Sequence, residues 1–212
     1  MIQYKKALFL HVPKTGGSWI RSVLREAGGK DVSYPHDIPA NKKFYMMTRN
    51  VKPFCIIRHP LEYVHSIWKH WSGNPRCRTN NMSPMKDHMW DKHHTSRIYL
   101  ENIVEGDFEK TIANFNENWP GFVSWLYGQY MRDSFFVGRH ERLRDDLARA
   151  LILINGRIDD DLQDLIRSKN PVNVSLGAEA VLSQDLARKF IDQEPIAKSW
   201  GYEFFPEFVI QK

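Results

Sequence analysis

The chain has 212 residues, 42% of them hydrophobic, with a formal net charge of +5 and two cysteines. This is enough apolar residue for a full core, which excludes a disordered chain, and too few cysteines for a disulfide framework. No apolar run approaches the roughly 20 residues that span a bilayer, and the modest positive charge favours anionic ligands without a DNA- or RNA-reading motif.

Read from the N-terminus, Met1–Lys6 leads into an apolar, β-prone run, Ala7-Leu8-Phe9-Leu10-His11-Val12. That leaves no room for a signal peptide, so a cytoplasmic, reducing setting is expected, with Cys55 in the core. Pro13-Lys14-Thr15-Gly16-Gly17-Ser18 then forms a turn, and Trp19, Ile20, Val23, Leu24 and Ala27 take up helical spacing until Gly28-Gly29 stops it. A strand that feeds a helix through glycines leaves unpaired N–H groups at the positive end of the helix dipole, which makes an anion site. Lys14 adds a charge, and Thr15 and Ser18 add hydroxyls. The Lys precedes the glycines, and no Gly-Lys-Ser/Thr or G-x-G-x-x-G occurs in the chain, so neither the ATP/GTP loop nor the dinucleotide fingerprint is present.

Residues 30–52 are mixed, with a short β-prone stretch at Asp31–Tyr34 and a loop carrying His36. Phe54-Cys55-Ile56-Ile57 reads as a second buried strand, ending in Arg58-His59-Pro60. Leu61, Val64, Ile67, Trp68 and Trp71 follow at helical spacing, with Ser66 about two turns in. Arg58 and Ser66 suit a second phosphate, held above the carboxyl ends of the strands.

These residues resemble sulfotransferases that use 3′-phosphoadenosine 5′-phosphosulfate (PAPS). Pro13-Lys14-Thr15-Gly16-Gly17-Ser18-Trp19 is similar to the family's 5′-phosphosulfate loop, and Arg58-His59-Pro60 with Tyr63 and Ser66 to its 3′-phosphate motif. The segment Phe136–Leu147 is similar to the strand-to-helix stretch that follows. The resemblance implies a three-layer α/β fold with a mainly parallel central sheet, like that of P-loop NTPases, in one domain over residues 1–212. It implies PAPS as donor and an acceptor hydroxyl on a carbohydrate or other small polar molecule. Lys14 is then catalytic and Pro13 to Trp19, Arg58 and Ser66 bind the nucleotide. His36 is the candidate base, because some carbohydrate sulfotransferases place a histidine in this interval, and Lys169 matches a late basic loop. None of these roles requires a metal. A nucleotide-dependent kinase and a non-catalytic nucleotide binder of the same fold are the alternatives.

Residues 69–97 set Lys69, Arg76, Arg78, Lys86, Lys92 and Arg97 against Asp87 and Asp91, and read as a lid or acceptor-side insertion. Its Cys77, His88, His93 and His94 match no zinc spacing. Beyond it, residues 97–132 read helical with a break at Trp119-Pro120-Gly121, and Ser134–Val137 reads as a third strand. Helices are expected at Arg144–Ile154, Ile158–Lys169 and Ala178–Gln193, and the tail from Trp200 is expected to pack back on the domain.

Overall fold

The computed structural model describes residues 1–32, 50–72, 101–170, 180–202 and 204–210. His36, Cys77 and nearly all of the 69–97 insertion lie outside the described residues. The chain divides into two units: Met1–Arg58 with Leu126–Val174, and His59–Trp125 with Ser175–Lys212.

The first unit is built on a five-stranded sheet. Strands β1 (Ile2–Tyr4) and β2 (Ala7–Leu10) form a hairpin, with Ile2 opposite Phe9 and Tyr4 opposite Ala7. Only Lys5-Lys6 separates them, and Lys5 takes φ 51° to close so short a turn. Strands β3 (Lys30–Asp31), β4 (Lys52–Ile57) and β5 (Phe136–Arg139) complete the order β3-β1-β2-β4-β5. β2 pairs parallel with β4, and β4 parallel with β5. β1 is antiparallel to both β2 and β3, so four of the five strands run one way and β1 alone runs against them.

The helices of this unit are α1 (Gly17–Glu26), α5 (Leu143–Asn155) and α6 (Asp160–Ser168), with a 3-10 turn at His140–Arg142 leading from β5 into α5. Phe9, Phe54 and Ile56 from the sheet pack with Trp19, Ile20, Val23 and Leu24 of α1 and Leu147, Leu151 and Ile154 of α5. Leu8, Leu10, Cys55 and Ile57 alternate to the opposite face and are equally buried. Burial on both faces is what a parallel α/β sheet requires, and it explains the unbroken apolar runs in β2 and β4. Each such side chain contributes about 1.5–3 kcal/mol on leaving water. The expected α/β class is the fold observed: a mostly parallel mixed sheet flanked by helices.

The second unit carries α2 (Pro60–Ser72), α3 (Phe108–Asn118), the start of α4 (Phe122–Met131), α7 (Gln184–Asp192), α8 (Pro195–Ser199) and a two-stranded parallel ribbon of β6 (Leu182–Ser183) and β7 (Val209–Ile210). Asp107 caps α3 by accepting from Lys110 N at 2.8 Å, and the Trp119-Pro120-Gly121 break falls where expected, with Gly121 at φ 78°. Glu194, 1% exposed, accepts from Val123 N (2.9 Å), Ser124 N (2.7 Å) and Ser124 Oγ (2.5 Å), which caps α4 from a distant point in the chain. His59 precedes α2 and accepts from Leu61 N on Nδ1 at 3.2 Å. That leaves Nε2 as the protonated nitrogen, donating to Phe204 O at 2.9 Å. Rings of Tyr202 and Phe204 close around it, so the C-terminal tail does pack back within this unit.

No helix among the described residues is long and apolar enough to cross a membrane. Two sequence expectations shift in position. The third strand begins at Phe136 rather than Ser134, because Ser134 continues from the last turn of α4 through Ser134 N to Met131 O. In place of the start of a helix at 178–193, β6 precedes α7 among the described residues, since Leu182 and Ser183 pair with Val209 and Ile210. Strand β1 has no counterpart in the sequence reading. Its three residues are too short for a period and are fixed by pairing on both edges.

Candidate functional site

The site grows from the carboxyl ends of three adjacent parallel strands. His11 follows β2, Arg58 follows β4, and His140 follows β5, all in the first unit. Open α/β sheets place ligands at these strand ends.

After Leu10 the chain turns at once, with Val12 N donating to Leu10 O at 3.0 Å. Val12 and Thr15 are fully buried, and Thr15 Oγ1 donates to Val12 O at 2.9 Å. That hydroxyl proton therefore braces the turn from inside. Lys14 has φ 61° and Gly16 φ 83°, so the loop twice enters the left-handed region. For Gly16 this costs nothing steric; for Lys14 it costs on the order of 1–2 kcal/mol, which the buried ends of the loop must hold in place. A Cβ on Gly16 would lie 2.7 Å from Leu143 Cδ2 and 3.2 Å from His140 Cδ2, so the loop abuts the start of α5.

Gly16 is the N-cap of α1 and supplies no side-chain cap, while Trp19 N and Ile20 N both donate to Gly16 O, at 3.1 and 3.2 Å. The amides of Gly17 and Ser18 have no acceptor within the helix. Nor does α1 carry an acidic residue in its first turn, where α5 has Asp145 and Asp146 and α6 has Asp160 and Asp161. No acidic side chain of its own first turn compensates the positive end of α1.

Lys14 sharpens this. It is half-buried, and its ammonium is held below the usual lysine range, first by burial and second by the Arg58 cation. Among the described residues no carboxylate pairs with it. Two cations at adjacent strand ends, beside a first helical turn with no acidic residue of its own, are an arrangement that favours an anion. Arg58 is set in place through its backbone: its N–H donates to Tyr127 Oη at 3.2 Å, and Tyr127 Oη donates to Arg58 O at 3.0 Å.

The remaining sequence candidates are placed as follows. Pro13 is buried in the loop and Ser18 is exposed on the first turn of α1. Trp19 is 4% exposed and belongs to the core; its Nε1 donates to Lys169 O at 3.2 Å, and Arg144 stacks over its ring at 5.4 Å. Lys169 Nζ is engaged by Glu26, in the last turn of α1. Ser66 is half-buried on α2, in the second unit, and His36 lies outside the described residues. The structure thus brings the loop and Arg58 together.

Sequence reasoning missed Tyr127, whose hydroxyl had no local signal. It also missed Asp146, 5% exposed, which accepts from Arg139 N at 2.7 Å and Arg142 Nη2 at 3.3 Å and so fixes the β5-to-α5 turn beside the loop. An acidic residue in the first turn of a helix was the available clue.

No protein-family model matches the sequence, and no curated protein sequence matches it. Among solved structures, the chain is similar to mouse sulfotransferase SULT7A1 complexed with PAP (3′-phosphoadenosine 5′-phosphate). The match has 16% identity and a TM-score of 0.37, over 78% of this chain and 64% of that one. A likeness this distant adds nothing to what the sheet order and the loop already establish.

Proposed function

We propose that the protein is a sulfotransferase that moves a sulfuryl group from PAPS to an acceptor hydroxyl, with residues 1–212 serving as one sulfotransferase-like domain. One observation carries the reading: half-buried Lys14, without a carboxylate partner among the described residues, sits within electrostatic reach of Arg58 above the acid-free N-terminus of α1. A donor with phosphate groups at both ends of one nucleoside matches two cationic centres at neighbouring strand ends.

In this reading the amides from Thr15 to Ser18 hold the 5′-phosphate, with Trp19, whose N–H is given to Gly16 O, anchoring the first turn behind them; Pro13, Gly16 and Gly17 shape the loop and Ser18 offers its hydroxyl. Arg58 and Ser66 hold the 3′-phosphate, and Lys169 would exchange Glu26 for the nucleotide. The acceptor oxygen forms its bond to sulfur as the bond from sulfur to the bridging phosphate oxygen breaks. The electron pair stays on that bridging oxygen, where the Lys14 charge meets it, and the acceptor proton passes to His36. Most of the rate gain comes from positioning and fixed charge, as in phosphoryl transfer. The acceptor is a small polar molecule or carbohydrate, with 69–97 on its side of the site.

The experiment is a calorimetric titration with 3′-phosphoadenosine 5′-phosphate (PAP), ADP and AMP, followed by transfer of labelled sulfate from PAPS to a panel of hydroxyl acceptors. PAP is expected to bind at least about tenfold tighter than ADP, since one charge-assisted phosphate contact is worth about 1.5–3 kcal/mol. Preference for Mg²⁺-ATP with indifference to PAP would point to a kinase instead. PAP binding with no transfer would mark a non-catalytic binder.

A further inference from the structure

Gly17 opens α1, and a Cβ built on it would fall 1.9 Å from His11 Cδ2 and 2.1 Å from His11 Nε2. No packed pair of atoms tolerates such a distance, so the imidazole edge occupies the space that any other residue at position 17 would need. The backbone is not what demands glycine here: the positive-φ glycines of the loop region begin with Gly16, and Gly17 is not among them. The demand comes from the ring. His11 is 4% exposed, and its ring stacks on Phe9 with centroids 5.8 Å apart, so the sheet core supports it from the other side. Its position is determined by β2, in which Phe9 pairs in register with Phe54.

We propose that His11 is a positioning residue for the anion loop: its ring, braced on Phe9, locks against Gly17 and fixes where the first amides of α1 point. This rests on the reading of the loop as an anion site and assigns a role outside the loop's own sequence. The consequence is specific. The first turn of α1 has no side-chain cap of its own, so its amides are aimed by what packs beneath them. An enlarged residue 17 and a shrunken residue 11 each spoil the aim, but each partly compensates for the other.

The test is a double-mutant cycle with His11→Ala, Gly17→Ala and the pair, read by PAP affinity in calorimetry with the melting temperature measured alongside. Each single variant is expected to weaken PAP binding roughly tenfold or more, and the double variant to recover most of the loss seen in Gly17→Ala, because contacting residues are non-additive. A merely structural role would couple the melting temperatures and leave PAP affinity unmoved in the folded variants. Independent, multiplicative losses in PAP affinity, or no loss in either single variant, would overturn the proposal. Should Gly17→Ala not fold, His11→Ala and the double variant still decide it: the double variant must fold and bind PAP at least as well as His11→Ala. If the wild-type protein ignores PAP, the cycle is read with inorganic pyrophosphate. Coupled losses there would keep the interlock while the donor assignment fails, and a wild-type protein that binds neither anion would sink both.

Discussion

The two units treat buried ionisable groups in opposite ways. In the second, Glu194 is 1% exposed and meets donors of the fold itself: two amides and a hydroxyl donate to it across the start of α4. In the first, Lys14 is half-buried beside another cation, and no carboxylate among the described residues answers it. Burial pushes both groups toward their neutral forms, raising Glu194 and lowering Lys14. The Glu194 carboxylate meets donors supplied by the fold, whereas Lys14 has another cation as its neighbour and no carboxylate among the described residues. The difference lies in the neighbours, not in the residue type.

The contrast can be broken most directly at Lys14. Lys14→Ala is expected to lower sulfuryl transfer by about 10²–10³-fold, the usual effect of removing a preorganised charge from a transition state. Near-normal turnover in a labelled-donor assay would leave the unanswered cation without a function. The same substitution should leave the free protein's melting temperature unchanged or higher, because it removes a desolvated charge from beside Arg58. A clear fall in melting temperature would show that the lysine is structural after all.

Glu194→Ala should do the reverse, costing about 2–4 kcal/mol in urea unfolding, since it strands buried donors that lose the carboxylate. The pH dependence sharpens the pair. Glu194 is raised in the folded state, so the folded protein binds the proton more tightly there, and its contribution to stability falls as pH rises from 4.5 through the raised value. Glu194→Gln should flatten that part of a stability–pH curve. Lys14 is lowered, so its penalty on the free fold is present at neutral pH and is relieved as pH rises through the lowered value toward 10.5, a window in which PAP affinity should weaken as the ammonium is lost. Calorimetry across that range in buffers of different ionisation heats would report the proton taken up with PAP.

The smallest effect is expected at a surface cluster of one carboxylate and two arginines that belongs to neither case. Asp31, with 37% of its side chain exposed, meets Arg21 at 2.7 Å and Arg25 at 2.6 Å. Asp31→Ala should cost under about 1 kcal/mol and diminish with added salt. A larger loss would mean that the short edge strand β3 depends on these bridges.

Much of this molecule was legible in its residues, for a physical reason. Apolar runs such as Phe54–Ile57 bury both faces, helical spacing such as Trp19, Ile20, Val23 and Leu24 buries one stripe, and glycines stop or turn the chain, all within a few residues of one another. Local periodicity therefore announced the strand, glycine turn and helix at 7–26, the α/β class, and the helices near 144–154 and 158–169. What no window of sequence contains is who meets whom across the sheet. The pairing of β2 with β4 sets Lys14 beside Arg58; the seat of Phe9 under His11 makes Gly17 obligatory; a tyrosine far along the chain grips the Arg58 backbone. Those arrangements are set by the register of long-range pairings and by which side chains fill the space between layers, so only the tertiary structure decides them.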